Sequence, residues 1–148
     1  MADVVDTATR SRMMSGIRGK DTQPEMRLRR ALHARGFRFR LHDRSLPGSP
    51  DLVLPRWQAI IQVHGCFWHR HAGCRYATSP ASRPEFWQTK FDANVARDRA
   101  SISALQRGGW RTAIIWECGL RSADQTELFD TLEQWLRGKN KSLELPVL

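Results

Sequence analysis

The stretch DLVLPRWQAIIQVH, residues 51–64, contains two short apolar runs separated by a turn-forming segment. The run 51–54 predicts a short buried strand and the run 59–64 predicts a second one. Both are rich in aliphatic and β-branched residues, and both are too short to favour helices. Two buried strands in succession indicate the interior of a sheet, around which the rest of the chain is expected to pack.

Elements predicted on either side of this stretch complete an α/β pattern. Upstream, Thr22 is expected to be the N-cap of a helix that has Glu25 at its third position and ends at Gly36. Alternating apolar and charged residues predict a strand over 37–41. Downstream, the predicted elements are a Cys/His-rich loop (65–84), a helix (85–106), a strand (110–116) and a helix (124–136). The order α-β-β-β-α-β-α predicts an α/β fold class, with a mixed sheet flanked by helices.

The size and composition of the chain fit one domain over residues 1–148. With 41% hydrophobic residues it can bury a real core, which argues against disorder. Residues 1–20 are interpreted as a basic N-terminal arm and residues 139–148 as a C-terminal tail. The sequence contains no apolar run of membrane-spanning length and no export signal, so we expect a cytoplasmic protein without a membrane partner.

The net charge of +9 is concentrated in the first two-thirds of the chain. Residues 1–50 carry 11 Lys and Arg against 5 Asp and Glu, and residues 51–100 carry 7 against 4, whereas residues 101–148 are balanced at 6 against 6. Cationic side chains gain affinity for a phosphate backbone by releasing its counterions, so this charge favours a nucleic-acid partner. The alternative is a solvated basic surface that only aids solubility.

Cysteine and histidine residues cluster in the predicted loop. Cys66, His69, His71 and Cys74 fall within nine residues, and Cys118 follows the strand predicted over 110–116. Thiolate and imidazole ligands suit Zn²⁺ in a tetrahedral structural site, so the pattern predicts zinc bound by three cysteines and one histidine. Spacing alone does not decide which histidine binds, and three buried reduced cysteines with two surface histidines are the alternative.

A carboxylate lies where the sheet could hold a second kind of metal. Asp51 begins one predicted strand, and the neighbouring strand ends at His64. Oxygen ligands at such a place suit Mg²⁺, which promotes phosphodiester hydrolysis. Each residue also has a simpler interpretation: Asp51 as a turn residue, Glu25 as part of the helix cap, and His64 and His69 as ordinary loop histidines.

Aromatic residues stand beside the Cys/His cluster. Phe67 and Trp68 lie in the loop, and Trp87 lies near the start of the following helix. Aromatic side chains beside basic residues can wedge between base steps, and burial in a core is the alternative. On the same helix, Lys90 and Asn94 share one face.

Several segments resemble the very-short-patch mismatch-repair endonucleases. They are MADV (1–4), ATRS (8–11), SLPG (45–48), PD (50–51), HGCFWH (64–69), EFW (85–87) and WEC (116–118). The resemblance covers about residues 1–122, and the HGCFWH run followed by spaced His and Cys is highly specific. It implies a restriction-endonuclease-like α/β fold with a structural zinc site.

The resemblance also implies an activity. An enzyme of this family nicks one strand on the 5′ side of the thymine in a T:G mismatch, which arises by deamination of 5-methylcytosine, and so starts very-short-patch repair. It implies double-stranded DNA as substrate, Mg²⁺ and Zn²⁺ as cofactors, and a bacterial protein that acts at the nucleoid. Mismatch-repair proteins and a DNA polymerase are the expected partners, and the chain is expected to be a monomer.

Site residues follow from the resemblance position by position. Asp51 and the backbone carbonyl of Val63 are expected to bind Mg²⁺, while Glu25, His64 and His69 act through water. The implied zinc ligands are Cys66, His71, Cys74 and Cys118. The implied DNA contacts are Phe67, Trp68, Trp87, Lys90 and Asn94, together with Arg10, Arg12 and Met14 of the N-terminal arm.

The chain departs from the family pattern in the sheet and in the loop. Val63 stands where the best-known member has threonine, a change that keeps the backbone carbonyl and removes a hydroxyl. One extra residue lies between His71 and Cys74. The sheet also lacks the Glu-x-Lys motif of the wider nuclease superfamily, so the role of general base is expected to fall to a histidine.

Overall fold

The computed structural model of the protein describes residues 21–122 and 124–147. The predicted N-terminal arm, with Arg10, Arg12 and Met14, lies outside the described residues. No helix among the described residues is both long enough and apolar enough to cross a membrane.

The described chain contains five helices and five strands. The helices are α1 (Gln23–Ala34), α2 (Cys66–His69), α3 (Pro84–Arg107), α4 (Glu117–Leu120) and α5 (Thr126–Arg137), and the segment Pro55–Trp57 forms one 3₁₀ turn. The strands are β1 (Arg40–Leu41), β2 (Leu52–Leu54), β3 (Ala59–His64), β4 (Arg111–Trp116) and β5 (Ser142–Leu145). The prediction of an α/β protein is confirmed.

The strands form one mixed sheet in the order β1-β2-β3-β4-β5. β1, β2 and β3 pair antiparallel, whereas β4 runs parallel to both β3 and β5. Pairing of β2 with β3 reaches only from Ala59 to Ile61, while pairing of β3 with β4 continues to His64. The last residues of β3 therefore leave one strand edge available to the segment before β2.

Apolar side chains pack on both faces of the sheet. Leu28 and Leu32 of α1 and Leu132 of α5 are fully buried in the larger cluster. The smaller cluster joins Leu105 of α3 to the sheet residues Val53 and Ile60. Because Val53 and Ile60 alternate with neighbours that belong to the larger cluster, the two clusters lie on opposite faces. The prediction of a mixed sheet flanked by helices is therefore confirmed.

The start of α1 agrees with the predicted cap, whereas the strand that follows is shorter than predicted. Oγ1 of Thr22 accepts a hydrogen bond from the backbone N–H of Glu25 at 3.3 Å, as an N-cap should. The N–H of Phe37 donates to the carbonyl of Leu32 at 3.0 Å and so closes the helix end. The strand predicted over 37–41 is limited to Arg40–Leu41, because only these two residues pair with β2.

The C-terminal segment is not the simple tail that was expected from residue 139. Ser142–Leu145 forms β5, which pairs with β4, and Leu143 and Leu145 pack against the core. Four residues in which only alternate side chains are partly buried give a weak strand pattern. Pairing with an open edge of β4 supplies the stabilisation that the local sequence does not indicate.

Candidate functional site

The three cysteines and one histidine converge at the ends of two parallel strands. His64 at the end of β3 lies opposite Trp116 at the end of β4, so the segments that follow the two strands are neighbours. Cys66 begins α2 after β3, and Cys118 lies in α4 directly after β4. The topology of the sheet therefore joins ligands that are far apart in sequence.

The geometry of this cluster selects His71 over His69. Nδ1 of His71 lies 3.7 Å from Sγ of Cys66 and 3.5 Å from Sγ of Cys118. Ligand atoms of Cys66, His71, Cys74 and Cys118 all lie within 4.8 Å of one another. Nε2 of His71 donates to the carbonyl of Pro146 at 2.9 Å, which leaves the lone pair of Nδ1 directed at the thiols. These four residues could hold a metal ion.

Burial keeps the thiols of Cys66 and Cys118 protonated unless a cation binds them. Desolvation raises the pKa of the Cys66 thiol to about 12, and burial also raises the pKa of Cys118. A metal binds thiolates rather than thiols, so the ion would release these protons when it binds. His71 stacks on Trp116 with ring centroids 4.3 Å apart, which fixes the plane of its ring.

Asp51 lies against the free edge of β3. Its Oδ2 accepts a hydrogen bond from the N–H of Val63 at 2.7 Å. In an extended strand the N–H and C=O of one residue point to the same side, so the carbonyl of Val63 lies along the edge that Asp51 contacts. Burial raises the pKa of the Asp51 carboxyl, although the Val63 hydrogen bond and nearby positive charge act in the opposite direction.

Glu25 is brought to the same place by helix α1, where His42 joins it to Asp51. The Glu25 side chain is only 3% exposed, and its Oε2 lies 3.1 Å from Nε2 of His42. Nδ1 of the same ring lies 3.8 Å from Oδ1 of Asp51. Sequence reasoning missed His42, because its position depends on the backbone hydrogen bond from its N–H to the carbonyl of Asp51.

His64 and His69 form a stacked pair with different surroundings. Their ring centroids are 4.0 Å apart and their planes differ by 10°. Burial lowers the pKa of His64 to about 3, so this ring is neutral at physiological pH. His69 instead places Nδ1 2.6 Å from Oδ2 of Asp98 on α3. The two histidines are thus chemically distinct.

Asp98 is a second residue that sequence reasoning missed. It lies one helical turn after Asn94, whose side-chain amide donates to the carbonyl of Trp68 at 3.2 Å. Helical spacing places both residues on the face of α3 that contacts α2. The predicted position of Asn94 near the site was therefore a signal from which Asp98 could have been found.

The predicted wedge residues form one aromatic cluster of Phe67, Trp68, Trp87 and Phe91. Phe67 contacts the other three at centroid distances of 5.0, 5.8 and 5.1 Å. Phe91 of α3 is only 3% exposed and packs against Phe67 and Trp87, which gives these rings an apolar support. Phe67, Trp68 and Trp87 remain partly exposed.

Lys90 adds positive charge at this cluster. Its Nζ lies 5.5 Å from the centroid of the Trp68 ring, within the range of a cation–π contact. The structure thus brings Lys90, Asn94 and the aromatic cluster to one surface. This surface adjoins His69, which follows Trp68 at the end of α2.

Comparison with known proteins identifies relatives over nearly the whole chain. The family model described as DNA mismatch endonuclease Vsr matches residues 2–75. The DNA mismatch endonuclease Vsr of Escherichia coli (strain K12) is 46% identical over 148 residues, covering 98% of this chain and 94% of that protein. The likeness therefore continues past residue 122, where the resembling motifs end.

Two further relatives are type II nicking enzymes. The enzyme of Xanthomonas oryzae pv. oryzae is 46% identical over 120 residues, covering 81% of this chain and 88% of its own. The enzyme of Neisseria meningitidis serogroup A is 36% identical over 122 residues, covering 82% of this chain and 86% of its own.

Proposed function

Because the chain belongs to the Vsr family of DNA mismatch endonucleases, which are DNA-nicking hydrolases, we propose that it nicks one strand of a T:G-mismatched duplex. The nick falls on the 5′ side of the thymine, and the reaction is Mg²⁺-dependent hydrolysis in very-short-patch repair. The observation that carries the proposal is the approach of Asp51 to the Val63 edge of β3, where its carboxylate accepts the Val63 N–H at 2.7 Å. The mixed sheet supports a restriction-endonuclease-like fold.

Asp51 and the Val63 carbonyl are suited to hold Mg²⁺. Both are hard oxygen ligands, and desolvation of the Asp51 carboxylate makes a compensating cation favourable. When bound, Mg²⁺ supplies positive charge that offsets the charge developing on the phosphate. The Val63 side chain does not weaken this site, because the proposed ligand is the backbone oxygen.

His69 is the proposed general base. The carboxylate of Asp98 holds the ring proton on Nδ1, so the lone pair of Nε2 can accept a proton from the attacking water. The water oxygen bonds to phosphorus while the bond to the leaving sugar oxygen breaks, and the leaving oxygen takes up a proton from solvent water. His64 is a poor base at neutral pH because of its low pKa, and its proposed role is to orient water and support the His69 ring.

Zn²⁺ is the proposed ion of the Cys66, His71, Cys74 and Cys118 cluster. Three sulfur donors and one imidazole nitrogen fit the preference of this ion in structural sites. The ion would tie the segment after β3 to the segment after β4. It thereby fixes α2, which carries Phe67, Trp68 and His69.

Mismatch recognition is assigned to the aromatic cluster and its basic surroundings. A mispaired step is easier to unstack than a paired one, so partly exposed rings beside it can wedge between the bases. Lys90 and Asn94 would then lie near the mismatched pair, and the +9 charge would attract the backbone. Mismatch-repair proteins and a DNA polymerase are the proposed later partners of a monomeric enzyme.

The proposed mechanism is tested by separating nicking from DNA binding. We expect Asp51→Asn to bind a T:G duplex with near wild-type affinity and to lose Mg²⁺-dependent nicking, while Asp43→Asn, in the exposed turn before β2, retains both. Nicking by Asp51→Asn at the wild-type rate would refute the mechanism. Binding without any nicking by the wild-type protein would instead favour a recognition module that recruits other proteins.

A further inference from the structure

The guanidinium of Arg29 lies at the meeting point of three potential metal ligands. Its Nη2 is 2.6 Å from Oδ1 of Asp21 and 2.9 Å from Nε2 of His42, and it also contacts Oε2 of Glu25. The Arg29 side chain is 12% exposed and that of Glu25 is 3% exposed. A single nitrogen of Arg29 therefore contacts two carboxylates and an imidazole, of which Glu25 is buried and the Asp21 side chain is 45% exposed.

The same three ligands have a spacing that fits a divalent ion. Ligand atoms of Asp21, Glu25 and His42 all lie within 4.8 Å of one another. Two carboxylate oxygens and one imidazole nitrogen form a donor set that Mn²⁺ accepts. The guanidinium nitrogen, however, lies within contact distance of all three and occupies the space that such an ion would need.

Arg29 also holds the ring of His42 beside Glu25. Nε2 of His42 lies 2.9 Å from Nη2 of Arg29 and 3.1 Å from Oε2 of Glu25, so the ring is held between the guanidinium and the carboxylate. Nδ1 is the nitrogen nearer Asp51, at 3.8 Å from Oδ1. The contacts thus lead from Arg29 through His42 to the carboxylate at which Mg²⁺ is proposed to bind.

The positive charge of Arg29 offsets the negative charge of the buried Glu25 carboxylate. Glu25 is buried, and a buried carboxylate without a cation carries a large desolvation cost. The i,i+4 spacing of Glu25 and Arg29 on α1 places the two side chains together. If the guanidinium were removed, two carboxylates and an imidazole would surround a space that attracts a divalent ion.

We propose that Arg29 is a resident cation of the catalytic site. It fills the position among Asp21, Glu25 and His42 that a divalent metal ion would otherwise take, and it leaves Asp51 as the carboxylate at which the metal binds. This inference rests on the proposed function in its assignment of the metal to Asp51. In this arrangement Arg29 is a positioning residue for Glu25 and His42.

Counting bound Mn²⁺ in the zinc-loaded, DNA-free protein tests the proposal. Electron paramagnetic resonance of free Mn²⁺ during titration gives the number of ions per chain. We expect Arg29→Ala to bind about one more ion per chain than the wild type, because its ligand set becomes available. Arg29→Lys keeps a cation in place and should match the wild type. Arg30→Ala removes the same charge from an exposed position of α1 and should also match it.

A double variant locates the additional ion. Arg29→Ala combined with Glu25→Gln should return to the wild-type number, because one carboxylate ligand is lost. If Arg29→Ala and the wild type bind equal numbers of Mn²⁺ ions, the proposal is overturned. It is also overturned if the double variant still binds the additional ion. If circular dichroism shows that Arg29→Ala does not fold, Arg29→Met retains the length of the side chain and is judged by the same counts.

Asp51→Asn separates this proposal from the proposed function. We expect it to bind one ion fewer than the wild type, whatever the behaviour of Arg29→Ala. If Asp51→Asn binds as many ions as the wild type, the assignment of the metal to Asp51 is wrong. If Asp51→Asn loses its ion and Arg29→Ala gains none, only the resident-cation proposal fails.

Discussion

Oδ2 of Asp98 lies 2.6 Å from Nδ1 of His69, and this contact joins helix α3 to the end of α2. The carboxylate holds the ring in one orientation and keeps its proton on the nitrogen that faces α3. The lone pair of Nε2 is then available to accept a proton. In the proposed mechanism, this pair is what prepares His69, which directly follows the aromatic cluster, to act as the general base.

Asp98→Asn tests that pair. The amide can hold the ring in place but favours the wrong tautomer, so we expect the single-turnover nicking rate to fall by about 10²-fold. Affinity for the mismatched duplex should stay near the wild-type value. Asp92→Asn, at an exposed position of the same helix, is the matched control and should nick normally. An Asp98→Asn variant with the wild-type rate would remove Asp98 from the mechanism.

Cys118→Ser tests the metal cluster. Loss of one thiolate should release the ion and separate α4 from the loop after β3. We expect zinc content, measured by mass spectrometry, to fall well below one ion per chain. We also expect the free energy of unfolding to fall by about 3 kcal/mol, which would lower the melting temperature by about 10 °C. His33→Ala, which removes an exposed histidine, should change neither quantity. Full zinc content in Cys118→Ser would exclude Cys118 as a ligand.

His64 makes stability depend on pH. Its pKa is lowered from 6.5 to about 3, so the unfolded chain takes up a proton that the folded protein does not. The contribution of the neutral His64 ring to the free energy of unfolding is therefore fully present above pH 6.5 and decreases as the pH falls toward 3. Between about pH 7 and pH 5 we expect a loss of about 2 kcal/mol in the free energy of unfolding.

Urea unfolding of the wild type and of His64→Gln at the two pH values isolates this effect. Groups remote from position 64 affect both proteins equally, so the difference between their losses in the free energy of unfolding belongs to His64 and its contact with His69. The variant should lose about 2 kcal/mol less than the wild type over this interval. Parallel losses in the two proteins would contradict the assignment of a buried neutral imidazole at this position.

Trp68→Ala tests the aromatic cluster as a wedge. A stacked aromatic contributes about 1–3 kcal/mol per base, so affinity for a T:G duplex should fall by roughly 10- to 100-fold, measured by fluorescence anisotropy. Affinity for the fully paired duplex should fall less, because the wedge is not inserted there. Tyr76→Ala removes an exposed aromatic ring outside the cluster and serves as the control. Equal losses on both duplexes would assign Trp68 to general packing.

The sequence predicts the parts of this site that depend on local pattern. Continuous apolar runs identify β2 and β3, and the antiparallel pairing of these strands places Asp51 beside Val63. The positions of the cysteines in the sequence also predict that they meet in one cluster. The sequence spacing could not decide whether His69 or His71 joins the cysteines, because the answer depends on a reversal of the chain between them. Arg70 adopts φ of 58°, and the N–H of His71 then bonds to the carbonyl of Cys66.

Other parts of the site depend on tertiary packing that the local sequence does not encode. Arg29 looks like any solvated arginine on a basic helix until α1 is packed on the sheet and the side chain meets His42. Strand β5 depends on the open edge of β4. In each case the partner is distant along the chain.

Nicking of end-labelled duplexes tests the central claim most directly. One duplex carries a central T:G pair and the other is fully paired, and each is incubated with Mg²⁺ or with EDTA. We predict a single nick on the 5′ side of the mismatched thymine, in the presence of Mg²⁺ only. Cleavage of both strands of the paired duplex, or equal nicking of the two duplexes, would contradict the account.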